Sequence, residues 1–90
     1  MSAMVKVKVA SVLFEYTHDA PEVEASGATL RALLADLDKR HPGLRFRVID
    51  EQDHVRQHMN VFIAGRPTRS LDAKVGPGDE VHILQALSGG

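Results

Sequence analysis

Apolar and polar positions alternate through the stretch VKVKVASVL near the start of the chain. Val5, Val7 and Val9 fall on one side of an extended chain, and Lys6 and Lys8 fall on the other. This pattern predicts a half-buried β-strand. The next stretch, EYTHDA followed by a proline, is rich in residues that favour a turn. EVEAS then predicts a short second strand, paired antiparallel with the first because the connection is short.

The stretch SGATLRALLADLDKRHPG has a helical period. Four leucines recur at i, i+3, i+4 and i+7 and form one apolar stripe: Leu30, Leu33, Leu34 and Leu37. Thr29 is placed to cap the first turn through its hydroxyl. Lys39, Arg40 and His41 lie where cations suit the carboxyl end of a helix dipole, and Pro42-Gly43 ends the helix.

The segment after this helix is less strongly patterned. In LRFRVI, alternation would bury Leu44, Phe46 and Val48 in a strand, whereas a helical turn would bury Leu44 with Val48 or Ile49. DEQDHVRQH follows as a charged stretch and predicts a solvated loop.

Two further strands are predicted toward the end of the chain. MNVFIAG alternates Met59, Val61 and Ile63 against Asn60, Phe62 and Ala64, and Gly65 with Pro67 marks a turn. SLDAKVGPGDE is a connection with room for a single helical turn at Ser70. EVHILQAL is the last strand, with Val81 and Ile83 on one face and His82 and Leu84 on the other.

The predicted order of elements is β-β-α-β-β. One helix with one leucine stripe can cover one face of the sheet, and the first and last strands can then be parallel neighbours at its centre. This is an α+β fold with the ubiquitin-like β-grasp arrangement, a mixed sheet with one main helix packed on one face. We expect residues 1–85 to form this domain and residues 86–90 to form a flexible tail that ends in Gly-Gly.

Composition excludes several classes of protein. The 90 residues carry a formal net charge of −1 and include no cysteine. The charge argues against a nucleic-acid-binding face, and the absence of cysteine excludes disulfides, thiolate metal sites and a cysteine nucleophile. No apolar stretch is long enough to span a membrane and the start lacks a signal-peptide core, so we expect a cytoplasmic protein.

The chain offers little that resembles catalytic or metal-binding chemistry. It has five histidines, at positions 18, 41, 54, 58 and 82, and only His54 and His58 have a ligand-like spacing, which requires their segment to be helical. The carboxylates Asp50, Glu51 and Asp53 fall in the same solvated loop, where nothing suggests shifted pKa values. Three serines, at positions 11, 70 and 88, lack the context of a nucleophile, and 76–78 is a glycine-containing turn too short to cradle a phosphate. We therefore expect no enzyme and no bound cofactor or metal.

Apolar residues on the outer face of the predicted sheet carry more information. If Val61 and Ile63 face the helix, Phe62 faces outward, and Leu84 does so nearby, with Leu87 three residues later. A single exposed apolar residue needs no explanation. Two or three together more often mark a partner site, so Phe62, Leu84 and Leu87 are a candidate docking patch.

The sequence closes on ALSGG, directly after the last predicted strand. A chance Gly-Gly at a given pair of positions occurs in roughly one protein in 200. An engineered C-terminus could also end in two glycines. Five extended residues reach about 16–18 Å, and Gly89 and Gly90 lack the Cβ atoms that would block a narrow channel. These properties suit a terminal carboxylate that another enzyme must reach.

Several of these stretches resemble the MoaD/ThiS sulfur-carrier family. The resemblance is carried by GATLRALLADLDKRHPG, MNVFIAGRPT, PGDEVHIL and the terminal SGG, and it covers essentially the whole chain. The long charged segment before MNVFIAG is more similar to the members that serve cysteine biosynthesis than to the shorter molybdopterin type. The chain differs from many members of the family in two places. It has Gln85-Ala86 where many members carry proline, and its stretch LFEYTHDAPEV lacks the F-A-x-L-R pattern of molybdopterin-synthase small subunits.

The resemblance implies a carrier and not an enzyme. An E1-like partner would adenylate the carboxylate of Gly90, a sulfur donor would convert the adenylate to a thiocarboxylate, and an acceptor enzyme would use that sulfur to build cysteine, thiamine, molybdopterin or another thio-metabolite. Gly89 would give access, Phe62, Leu84 and Leu87 would dock partners, and a metalloprotease could trim the tail. ATP, Mg²⁺ and any zinc or pyridoxal phosphate would belong to the partners. Neither nucleic acid nor membrane is implied.

Two other functions stay open at this point. The chain could be a protein modifier joined through Gly90 to lysines of target proteins, or a β-grasp interaction domain whose terminal glycines are incidental.

Overall fold

The computed structural model describes residues 4–85 and contains five strands and three helical segments. The strands are β1 (Val5–Val9), β2 (Glu22–Ala25), β3 (Met59–Ile63), β4 (Arg66–Thr68) and β5 (Glu80–Gln85). The helical segments are a 3-10 helix (Ser11–Tyr16), α1 (Leu30–Arg40) and α2 (Leu44–Val48). None of the helices described is long and apolar enough to cross a membrane. The predicted tail, 86–90, lies outside the described residues.

The five strands form one mixed sheet in the order β2-β1-β5-β3-β4. β1 and β5 are parallel neighbours at the centre, and every other neighbouring pair is antiparallel. The predicted central pairing of the first and last strands is therefore confirmed. It requires the intervening chain to cross over one face of the sheet, and α1 lies in that crossover.

The helix α1 follows its predicted pattern. Thr29 is the N-cap, and its Oγ1 accepts a hydrogen bond from the N–H of Ala32 at 3.2 Å. All four leucines of the apolar stripe are fully buried. They pack on inward side chains of the strands, since β1 and β3 bury every second residue.

The first strand is shorter than the alternation in VKVKVASVL predicts. β1 ends at Val9, and Ser11–Tyr16 forms a 3-10 helix where the sequence suggested strand and then turn. Within it Leu13 has no solvent exposure. The 3-10 helix thus places the side chain of Leu13 in the core. A longer β1 would instead have extended beyond the sheet.

The ambiguous segment LRFRVI is helical. α2 begins after Gly43, whose φ of 95° is in the left-handed region that favours glycine. Leu44 and Val48 are fully buried, one turn apart, whereas Phe46 is 51% exposed on the opposite side of the helix. In the neighbouring charged loop Val55 is buried, and Val55 forms an isolated bridge with Ile49.

The predicted β-β-α-β-β order lacks the strand β4 and the helix α2, which the structure contains. β3 and β4 form a tight hairpin whose two-residue turn, Ala64-Gly65, has positive φ at both positions. Pro67 lies in β4 and not in the turn, which is tolerated because β4 is an edge strand. At Ser70 the chain makes a single turn closed by the N–H of Ala73, and no helix forms there.

Candidate functional site

The face of the sheet opposite α1 is not covered by any element of the described chain. Along β1, β3 and the first part of β5 the residues of this face alternate with buried ones. One row of cross-strand partners runs over all five strands: Glu22, Lys8, His82, Phe62 and Pro67. The face therefore changes from acidic at β2, through basic at β1, to mostly apolar at β3 and β4. We call it the open face.

Phe62 and Leu84 both lie on the open face, as the alternation predicts. Leu84 is 37% exposed, whereas Phe62 is partly buried. Phe62 is the partner of His82, and Leu84 is the partner of Asn60, so the two apolar side chains are diagonal neighbours on adjacent strands. The structure brings these two residues of the predicted patch together. Leu87, Gly89 and Gly90 lie outside the described residues.

A charged group occupies the open face beside this apolar pair. Oε1 of Glu80 lies 2.7 Å from Nε2 of His82 and 3.3 Å from Nζ of Lys8. The hydrogen bond from His82 lowers the pKa of the Glu80 carboxyl most, and the hydrogen bond from Lys8 lowers it further. Glu80 is consequently an ionised acceptor shared by two donors.

Sequence reasoning missed this group because it treated His82 as one of five surface histidines. The sequence indicates only that the side chains of Glu80 and His82 share a face. In the stretch EVHIL, Glu80 and His82 are two positions apart on one strand, and therefore on the same face as Leu84.

Two carboxylates of the segment 50–53, those of Asp50 and Asp53, make hydrogen bonds and ion pairs that stabilise the loop. Asp50 Oδ1 accepts hydrogen bonds from the N–H groups of His54 and Gln52. These bonds, that of His54 above all, lower the pKa of Asp50, which corrects the expectation of an unshifted group. Asp53 forms ion pairs with Arg31 and Arg45.

Metal-binding geometry is likewise missing from the described part of the chain. His54 and His58 lie outside any helix, so their spacing does not place them on one helical face. No group of three or more potential ligand side chains occurs between residues 4 and 85.

The mixed sheet with parallel central strands and one covering helix defines a ubiquitin-like β-grasp protein. The same fold occurs in a chain of the crystal structure of the Amycolatopsis orientalis BexX/CysO complex, with a TM-score of 0.87 and 32% identity over 96% of this chain and 99% of that one. Mycobacterium tuberculosis CysO superposes with a TM-score of 0.88 at 28% identity, over 92% of this chain and 99% of that one.

The chain belongs to the ThiS family, whose sequence model matches residues 7–90. The sulfur carrier protein CysO of Mycobacterium tuberculosis is 31% identical over 91 residues, which cover 96% of this chain and 98% of that protein. The small archaeal modifier protein 1 of Methanosarcina acetivorans has a TM-score of 0.80 at 28% identity, over 100% of this chain and 99% of that one.

Proposed function

We propose that this chain is a sulfur carrier that works through the terminal carboxylate of Gly90. The observation that carries the proposal is the whole-length match to sulfur carrier proteins, over 96% of this chain, together with a family match that extends to Gly90. The chain acts as a co-substrate of partner enzymes.

The chemistry begins with activation of a poor electrophile. A carboxylate oxygen of Gly90 attacks the α-phosphorus of ATP on an E1-like enzyme, forming an acyl adenylate and releasing pyrophosphate. A sulfur donor delivers a hydrosulfide equivalent that attacks the acyl carbon, the bond to the phosphate oxygen breaks, and AMP leaves. The product is a thiocarboxylate, which transfers its sulfur to the substrate of an acceptor enzyme. Gly89 lets the chain end enter the active site, because glycine has no Cβ.

The open face serves as the docking surface for these partners. Phe62 and Leu84 provide its apolar part, and Leu87 is a further partner-binding residue of this proposal. Leu84 lies on β5, the strand that leads directly to residues 86–90. Five residues span at most about 18 Å, so a partner that docks on this face and acts on Gly90 must have its active site within that distance of the end of β5.

A reconstituted reaction tests the proposal. The chain is incubated with ATP, Mg²⁺, sulfide and the E1-like enzyme of its source organism, and its intact mass is measured. We expect one oxygen atom to be exchanged for sulfur in the wild-type chain, and no exchange in a chain lacking Gly89-Gly90 or carrying one extra residue after Gly90. Sulfur incorporation into the extended chain, shown to remain untrimmed, would contradict the proposal.

A second function is favoured by the likeness to small archaeal modifier protein 1. Here Gly90 forms an amide with a lysine of a target protein, and the acyl adenylate is common to both routes. The two functions differ in the nucleophile that displaces AMP, sulfur in one and an amine in the other. Lysine-linked adducts of this chain in its own cells would support the modifier function.

A further inference from the structure

The Nδ1 atom of His82 is a polar atom of the open face whose role the proposed function does not explain. His82 lies between Lys8 on β1 and Phe62 on β3, both of which are its cross-strand partners. Its side chain is 36% exposed, so a partner that covers Phe62 and Leu84 also covers the imidazole. The chemistry of that ring therefore bears on which partners can dock.

The hydrogen bond to Glu80 determines the tautomer of the neutral ring. Glu80 is ionised near neutral pH and can only accept, so the proton in the 2.7 Å contact belongs to Nε2 of His82. Nδ1 of the neutral imidazole is then an acceptor. Among residues 4–85, no group donates a hydrogen bond to it.

The surroundings of the ring favour this arrangement. β1 contributes Lys8, which is ion-paired with Glu80, and Lys6, the cross-strand partner of Glu80. β3 contributes only the uncharged Phe62 and Asn60. Glu80 is thus the one carboxylate that faces the ring from the neighbouring positions of the described sheet, and it is bound to Nε2 and not to Nδ1.

We propose that Nδ1 of His82 selects the partner, and that the adenylating enzyme places a hydrogen-bond donor on it at the edge of the apolar contact. This inference rests on the proposed function, since it names the partner chemistry of the same docking surface. A buried acceptor left unpaired in the complex costs affinity, so partners without the donor are rejected. Protonation of the ring converts Nδ1 from acceptor to donor, and the contact is then lost.

Two substitutions separate the two ring nitrogens. His82→Asn keeps an acceptor near the position of Nδ1. His82→Gln keeps a donor near the position of Nε2 and has no acceptor near that of Nδ1. His54→Gln is the matched control, because His54 is exposed and lies outside the strands. Steady-state adenylation by the E1-like enzyme of the source organism gives KM for the carrier and kcat separately.

We expect His82→Gln to raise KM about five- to tenfold with kcat unchanged, from the loss of one hydrogen bond in the complex. His82→Asn and His54→Gln should keep KM close to that of wild type. An unchanged KM for His82→Gln would overturn this inference and leave the sulfur-carrier function intact.

The tautomer can be measured without any variant. Nitrogen chemical shifts of the His82 ring in the ¹⁵N-labelled wild-type chain should show the proton on Nε2 near neutral pH. A proton on Nδ1 overturns the inference. If wild type is not adenylated at all, the proposed function fails first, and this inference falls with it.

Discussion

Val7 and Val81 lie side by side on the two parallel strands at the centre of the sheet, and neither side chain is exposed to solvent. β5 consequently has a neighbouring strand on each side, β1 and β3. Along β5 the residues alternate, so that Val81 and Ile83 are buried while Leu84 is exposed. One strand thus contributes both to the core and to the open face.

Adjacent substitutions on β5 should therefore have different effects. Ile83→Ala should lower the free energy of unfolding by about 2–4 kcal/mol, because it leaves a cavity in the core. Leu84→Ser should lower it by less than about 1 kcal/mol. On the proposed function, Leu84→Ser should also raise KM for adenylation. Urea denaturation and adenylation kinetics of the two variants check this, and a large loss of stability in Leu84→Ser would contradict the assigned faces.

A second pair of substitutions tests the helical conformation of 44–48. In the helix, Leu44 is fully buried and Phe46 is 51% exposed, whereas a strand would bury both side chains. Leu44→Ala should cost about 2–4 kcal/mol of unfolding free energy, and Phe46→Ala less than about 1 kcal/mol. Equal losses in thermal or urea unfolding would indicate the strand.

These two cases show how far the sequence determines the fold. The alternation in β1, β3 and β5 and the leucine stripe of α1 extend over enough residues to specify period and face, so the β-grasp arrangement is predictable. LRFRVI is too short for periodicity to decide between helix and strand. β4 was missed because it has only three residues, and Pro67 in it resembles a turn residue when its edge position is unknown.

Arg69 provides a third test, because it fixes the backbone that leads into β3. Its guanidinium donates to three carbonyl oxygens, those of Val55, Arg56 and Met59. Arg69→Met should lower the free energy of unfolding by about 1–2 kcal/mol, since these acceptors lose a charged donor. Arg66→Met is the control, because the exposed side chain of Arg66 makes no hydrogen bond within the described chain. Equal unfolding midpoints for both variants would show that the three hydrogen bonds of Arg69 do not stabilise the fold.

Asp36 predicts a pH dependence of stability. Its Oδ2 accepts from the N–H of Ser26 at 2.9 Å and from Nε of Arg40 at 2.8 Å. The first of these, and then the second, lowers the pKa of Asp36 below its ordinary value of 3.8. A carboxyl with a lowered pKa in the folded state stabilises the fold above its unfolded pKa, and this stability is lost as the pH falls through the folded pKa.

Asp36→Asn should therefore be less stable than wild type near neutral pH, and the difference should shrink below about pH 4. Asp72→Asn is the control, because the Asp72 side chain is 85% exposed and its contact with Arg31 is long, at 3.5 Å. Urea midpoints measured from neutral to acid pH check this. A difference that stays constant down to the acid end would contradict a role for the ionised carboxyl.

The candidate site was less predictable than the fold, for a physical reason. Alternation places Phe62, His82 and Leu84 on one face, but the pairing of His82 with Glu80 depends on side-chain rotamers and on the register with Lys8, which a single sequence does not contain. On the proposed function the terminal glycines act through a backbone carboxylate, so no side-chain pattern reveals their chemistry. Only the family resemblance indicates a role for Gly89 and Gly90.

The most direct test of the sulfur-carrier function is the mass of the native chain isolated from its own cells, with fragmentation to locate any change. A fraction of the chain should have exchanged one oxygen for sulfur, with the change confined to Gly90 and absent when the E1-like enzyme is deleted. A chain that has gained no sulfur in cells actively making thio-metabolites, or has gained it elsewhere than on Gly90, would contradict the sulfur-carrier function.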